Sequence, residues 1–194
     1  MWPGRRGNQL IVHLLAIIGS LRRDSYNRMT YNAVRELLPD GVTIEEGEIR
    51  SIPLYNDDLM AESGHPEAVR RLREQVAAAD AVLFISPEYN YSIPGVLKNA
   101  IDWVSRPAGD QPFRGKPVAI MGAALRAIGT ARMQYHLRQV FVFIEAVALV
   151  KPEVMINFAP TKFDKQGHLT DEPTREVIRR QLEALVDWVQ RLKG

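Results

Sequence analysis

Apolar residues along this chain fall into two alternating patterns, short continuous runs and longer stretches with helical spacing. The first run, Leu10 to Ile18, is almost unbroken, as expected for a strand covered on both faces. From Tyr26 the apolar residues Tyr26, Met29, Ala33, Val34 and Leu37 recur at helical spacing. Val42-Thr43-Ile44 opens a polar-alternating strand reaching Ile49, and a loop is expected over Ile52 to Asp58. Ala68, Val69, Leu72 and Val76 predict a helix after Pro66, followed by the buried strand Ala81–Ile85. Pro94 starts a helix carrying Val96, Leu97, Ala100, Ile101 and Val104, a placement that suits proline. The pattern then predicts a strand over Pro117–Met121 and a long helix over roughly Gly129–Ala146. A last strand at Val154–Ile156 precedes a final helix lined by Val177, Ile178, Leu182, Leu185, Val186 and Val189.

Five strands interleaved with helices predict an α/β fold with a doubly wound parallel sheet, because parallel neighbours need helical crossovers. Ligands in such sheets bind beyond the carboxyl ends of the strands. That rule gathers three loops, 19–27, 86–94 and 122–130, at one end of the molecule.

The first loop reads GSLRRDSYN. Gly19 gives a sharp exit from the strand, and the turn leads into a helix whose unpaired amides and dipole favour an anion. Ser20, Ser25, Asn27 and Arg22 can add side-chain donors to a phosphate. The loop lacks both the GKS/GKT ending of a triphosphate-binding loop and the G-x-G-x-x-G of dinucleotide folds, so a mononucleotide phosphate suits it better. A simple helix cap by Ser20 or Ser25 with solvated arginines is the competing reading.

The second loop, Ser86 to Gly95, holds two prolines, two tyrosines and Asn90, a stiff edge against which a flat heterocycle can rest. The third, Gly122 to Thr130, is rich in glycine and alanine and lets a ring approach the backbone. Glu88 is the only carboxylate in the second and third loops. It is expected to bond backbone, or an arginine across a subunit contact, rather than to transfer protons.

Composition mainly excludes. At 194 residues and 46% hydrophobic content, one domain over 10–194 is expected, with residues 1–9 as a flexible tail too short and polar for a signal peptide. The chain has no cysteine, which removes disulfides, thiol nucleophiles and cysteine metal sites and is compatible with a cytoplasmic location. His13, His65, His136 and His168 are scattered, so no metal is expected, and Asp57 and Asp58 read as turn residues. A net charge of +2 and the solvated run Arg70–Glu74 give no case for nucleic acid, and no stretch is long enough to span a membrane. Val140–Val150, read as helix, is apolar around nearly its whole circumference, which predicts burial in the core or in a homo-oligomer.

Together, GSLRRDSYN, SPEYNYSIPGVLKNAIDWVSRP and GKPVAIMGAALRAIGTARMQYHLRQV closely resemble the NAD(P)H-dependent FMN reductase family of quinone, chromate and azo-dye reductases, over roughly Leu10 to Phe158. The resemblance implies a flavodoxin-like fold with sheet order 2-1-3-4-5, FMN as cofactor, NADPH or NADH as donor, and a homodimer or homotetramer. It implies that Ser20, Arg22, Ser25 and Asn27, with the adjoining Tyr26, hold the FMN phosphate. Pro87, Glu88, Tyr89 and Asn90 would follow the ring and ribityl chain, and Gly122, Ala123 and Ala124 would cover the pyrimidine side. No catalytic side chain is implied, since the flavin carries the chemistry. A quinone, azo or nitro compound, or a metal oxyanion, would accept electrons in a ping-pong sequence. Where the family often shows G-A-S-P-G, this chain has Gly122-Ala123-Ala124-Leu125-Arg126, losing a hydroxyl and gaining a guanidinium. The alternatives are a non-enzymatic FMN electron carrier and a flavodoxin-like interaction module. Carriers tend to be acidic, unlike this chain.

Overall fold

The computed structural model describes residues 11–193, so the tail expected at 1–9 lies outside the described residues. Strand β1 (Val12–Ile18) leads into helix α1 (Tyr26–Glu36), then β2 (Val42–Gly47), α2 (Asp57–Ser63) and α3 (Glu67–Ala78). Next come β3 (Ala81–Ile85), α4 (Gly95–Val104), β4 (Pro117–Ala123) and α5 (Ala131–Phe143). The short strands β5 (Val147–Ala148) and β6 (Val154–Ile156) precede the long α6 (Glu172–Lys193).

All pairings in the sheet are parallel, in the order β2-β1-β3-β4-β5, with β6 also beside β4. This is the flavodoxin-like order. The chain reverses direction across the sheet between β1 and β3, so their carboxyl ends open the crevice where such folds bind ligands. Side chains of β1 alternate between two buried layers, as a strand's period of two demands. Leu14, Ala16 and Ile18 pack under α1 and α6 with Val34, Ile178 and Leu182. Leu15 and Ile17 face α3, α4 and α5 with Leu72, Leu97, Trp103 and Phe141. Covered faces explain why the strand runs read as continuously apolar.

Three expectations change. The described sheet has six strands rather than five, because Val147–Ala148 pairs with the start of β4 and Val154–Ile156 with its end. Gln181 fills the gap between them, its Nε2 donating to Ile120 O (3.1 Å) and Pro152 O (2.7 Å). Second, Val140–Val150 is not one helix. Helix α5 stops at Phe143, Glu145 turns with φ 54°, and of the apolar residues that follow Val147 and Ala148 pair as strand. Third, Asp57 and Asp58 begin helix α2, where Asn56 Oδ1 accepts from Asp58 N at 3.0 Å. Capping by Asn56 and carboxylates in the first turn make this short helix.

Candidate functional site

At the end of β1, Gly19 N donates to Ile85 O at 2.9 Å. A Cβ at Gly19 would stand 2.3 Å from Ser86 Oγ, so only glycine lets the exits of β1 and β3 meet. Ser25 has extended backbone and caps α1, its Oγ accepting from Asn27 N at 3.2 Å. The first turn of α1 holds no acidic residue, so nothing there opposes an anion. Among the described residues the Arg22 guanidinium, at the surface, makes no hydrogen bond or ion pair. Asn27 lines the cleft and is also bonded within the protein. Its Oδ1 accepts from Ala123 N at 2.9 Å and its Nδ2 donates to Ala123 O at 3.0 Å, within a buried contact. The amide therefore straps the first loop to the end of β4, and only one of its hydrogens remains for a ligand.

The second loop is a tight hairpin. Tyr89 N donates to Ser92 O (3.1 Å) and Ser92 N to Tyr89 O (2.9 Å), with Asn90 and Tyr91 at φ 49° and 65°. Two consecutive positive φ values match the mirror-type turn of two-residue hairpins, which asparagine tolerates and tyrosine resists. The Arg132 guanidinium lies 3.5 Å from the centre of the Tyr91 ring and offsets that cost. Glu88, its side chain 6% exposed, accepts from the backbone N–H groups of Arg132 (3.0 Å) and Met133 (3.1 Å) and from Arg132 Nε (2.6 Å). Thr130 makes no side-chain cap, so α5 is capped from 44 positions away. Glu88 thus bonds both backbone and an arginine, but within its own chain.

Gly122 and Ala123 belong to β4 rather than to the third loop. A Cβ at Gly122 would fall 2.1 Å from Ser86 O and 2.6 Å from Thr130 Oγ1, so the glycine serves contact between β4 and the second loop. The loop proper is anchored where Ala124 N donates to Ile156 O (2.9 Å) and Ala124 O accepts from Ala159 N (3.0 Å). Between these anchors and Gly129, Leu125 and Ile128 stand 60% and 53% exposed.

The three loops enclose a cleft of about 640 Å³, within the range of small-molecule sites. Arg22, Ser25, Tyr26, Asn27, Pro87, Glu88, Tyr89, Asn90, Ala123 and Ala124 line it. Ser20 and Gly122 do not. Ser20 lies beneath the rim, its Oγ 3.5 Å from the Tyr89 hydroxyl, and faces a second depression of about 380 Å³ toward β2. There Glu46 accepts hydrogen bonds from the Arg28 guanidinium and raises the arginine's pKa further. Tyr91, Leu125, Arg126, Ile128, Gly129 and Arg132 complete the main cleft. Of these, Arg132 had no local signal, since its partner lies in a different loop.

The lining fits an anionic flat heterocycle such as FMN. Three arginines face it, and its one carboxylate among the described residues, Glu88, has both oxygens engaged. Asp24 does not line the cleft, so no unpaired carboxylate opposes a phosphate. No group of three or more metal-ligating side chains occurs among the described residues.

Comparison with known proteins agrees. Residues 12–161 match the family model described as NADPH-dependent FMN reductase. The chain is 56% identical over 183 residues to an NAD(P)H-dependent FMN reductase of Pseudomonas aeruginosa, covering 94% of this chain and 98% of that protein. It is 42% identical over 184 residues to a quinone reductase of Escherichia coli, covering 94% and 97%. The structure of the flavoenzyme NAD(P)H:(acceptor) oxidoreductase from Paracoccus denitrificans superposes with a TM-score of 0.85 at 36% identity, over 93% of this chain and 98% of that one. With the model spanning most of the chain and relatives matched nearly end to end, this protein belongs to the NADPH-dependent FMN reductase family.

Proposed function

We propose that the protein is an NAD(P)H-dependent FMN oxidoreductase that reduces quinones or similar small acceptors by a ping-pong sequence. The observation that carries this reading is the cleft itself, with an anion-suited helix start at one end and a stiff aromatic edge at the other. When bound, FMN supplies the hydride chemistry, taking electrons from the reduced nicotinamide and passing them to the acceptor.

The chain's own residues bind and orient. Arg22, the Ser25 hydroxyl and the backbone amides opening α1 hold the phosphate, with Ser20 supporting the loop from below. Asn27 contributes chiefly by tying this loop to Ala123. Pro87, Tyr89 and Asn90 present the edge for the ring and ribityl chain, Ala123 and Ala124 border its other side, and Glu88 holds the hairpin to α5. Tyr26 also lines the cleft, its ring 5.6 Å from Phe163. No proton-transfer constellation is required.

Purified protein is expected to take up FMN, and the visible spectrum to bleach with NADPH or NADH and recover with a quinone. Failure to retain FMN ends the reading. Parallel initial-velocity lines against both substrates test the ping-pong order. The carrier alternative predicts no steady-state turnover, and the interaction-module alternative a colourless protein after FMN is added.

A homodimer or homotetramer belongs to the same proposal, supported by exposed Val142 (80%), Phe143 (69%) and Val150 (67%). Light scattering at a multiple of 21.9 kDa is expected, and a monomer mass refutes it. No helix of the described residues is long and apolar enough to cross a membrane. We place the protein in the cytoplasm because the reading requires NAD(P)H as donor.

A further inference from the structure

The three arginines of the cleft differ in what they touch. Arg132 is held by Glu88 and stacked on Tyr91, and Arg22 stands beside the start of α1. Arg126 alone sits between two exposed apolar side chains of the cleft, Leu125 and Ile128. Among the described residues its guanidinium, also exposed, makes no hydrogen bond or ion pair.

The backbone beneath it is well held. Arg126 O accepts from Gly129 N at 3.1 Å, and Gly129 adopts φ 64° against Met155. Asn157 Nδ2 donates to Ala127 O at 3.3 Å. A fixed turn therefore presents a cation flanked by apolar surface at the mouth of a cleft with no unpaired carboxylate. A flat ring covers such apolar surface, while an anionic group on that ring meets the guanidinium in a charge-assisted, bidentate hydrogen bond.

We infer that Arg126 is a specificity residue for the electron acceptor, favouring aromatic quinones that carry a sulfonate or carboxylate over their neutral parents. The inference rests on the proposed quinone reduction. The overall reaction is unaltered: NAD(P)H and one proton reduce the quinone by two electrons to the hydroquinone, leaving NAD(P)⁺.

The test compares kcat/KM for 1,4-naphthoquinone-2-sulfonate and 1,4-naphthoquinone in the FMN-loaded wild type, R126Q and R126E, with NADH as donor and, in a parallel series, NADPH. The sulfonate-to-parent ratio is expected to fall about fivefold in R126Q, the size of an exposed ion pair, and further in R126E. Added salt should lower the wild-type ratio and leave that of R126Q nearly flat. Binding of 2-naphthalenesulfonate, which accepts no electrons, should weaken in the same order. A ratio and a binding constant that do not move overturn the inference. So does a loss confined to NADPH relative to NADH, which assigns the guanidinium to the donor's extra phosphate. Should neither quinone turn over, quinone reduction itself fails, and naphthalenesulfonate binding still decides whether Arg126 receives anions.

Discussion

The loops after β3 and β4 border the same cleft and are built on opposite plans. The first ties several of its side chains to α5. Glu88 caps α5, Tyr91 lies against Arg132, and Ser92 Oγ is 3.0 Å from His136 Nδ1. The second is held through its backbone, by Ala124, Gly129 and the carbonyl of Ala127, and leaves Leu125, Arg126 and Ile128 to solvent. A loop whose side chains hold its own shape makes a rigid wall. One held by its backbone is free to vary its side chains and so to choose visitors. The wall suits a resident cofactor and the variable rim suits a passing substrate.

The contrast can be broken first at the seam between the loops. Gly122→Ala forces a methyl against the Ser86 carbonyl, and backbone cannot swing aside as a flexible side chain does. A loss of about 3 kcal/mol is expected, at the upper end of overpacking, with both loops displaced. Chemical denaturation together with flavin retention checks it, and a stable, yellow variant would show that the seam yields.

Glu88→Gln comes next. It keeps the shape but removes the charge that two α5 amides and Arg132 share, within a nearly buried contact. Hydrogen bonds to charged groups contribute about 1.5–3 kcal/mol, so a loss near 2 kcal/mol is expected, with weaker FMN binding as the hairpin loosens. Faster amide exchange at Arg132 and Met133 is the local signature.

Arg22→Ala separates wall from anion site. Its exposed guanidinium has no partner in the protein, so folding stability should move by less than about 0.5 kcal/mol, as for other surface changes. FMN affinity is expected to fall about tenfold, one charge-assisted hydrogen bond, by titration of the apoprotein. Ser25→Ala should instead cost about 1 kcal/mol of stability through its lost cap as well as weakening FMN.

The smallest effect is expected at Tyr91. Tyr91→Gly relieves a positive φ worth about 1 kcal/mol and gives up a cation–π contact of similar size, so stability should change little. Tyr91→Ala keeps the strain without the contact and should be the less stable of the two. Equal stabilities of the two variants would mean that the positive φ costs nothing, and an alanine variant as stable as the wild type would mean that the stack contributes nothing.

Much of this architecture was legible locally. β1, β3 and β4 are covered on both faces, so their apolar runs declare them. The start of α1 is equally plain, because Ser25 and the helical spacing that follows are properties of neighbouring residues. The α5 boundary was not legible. Val140–Val150 carries the same apolar character whether it packs as helix or pairs as strand, and the turn at Glu145 has no glycine to announce it. Likewise the sixth strand exists only because the edge of β4 accepts two short partners in succession.

The candidate site divides the same way. Its membership in three loops followed from strand order and from the residue types in each, since a parallel sheet leaves its carboxyl-end loops together whatever their sequence. The contacts inside it came from folding alone. Glu88 with Arg132, Asn27 with Ala123 and Gly122 with Ser86 lie 44, 96 and 36 positions apart, and each is selected by where the sheet brings backbone together. Local sequence determines which segments become strand, helix and turn, because hydrophobic period and capping act over a few residues. Which polar group meets which is settled only in the packed molecule, where burial limits each donor and acceptor to the few partners the fold brings within reach.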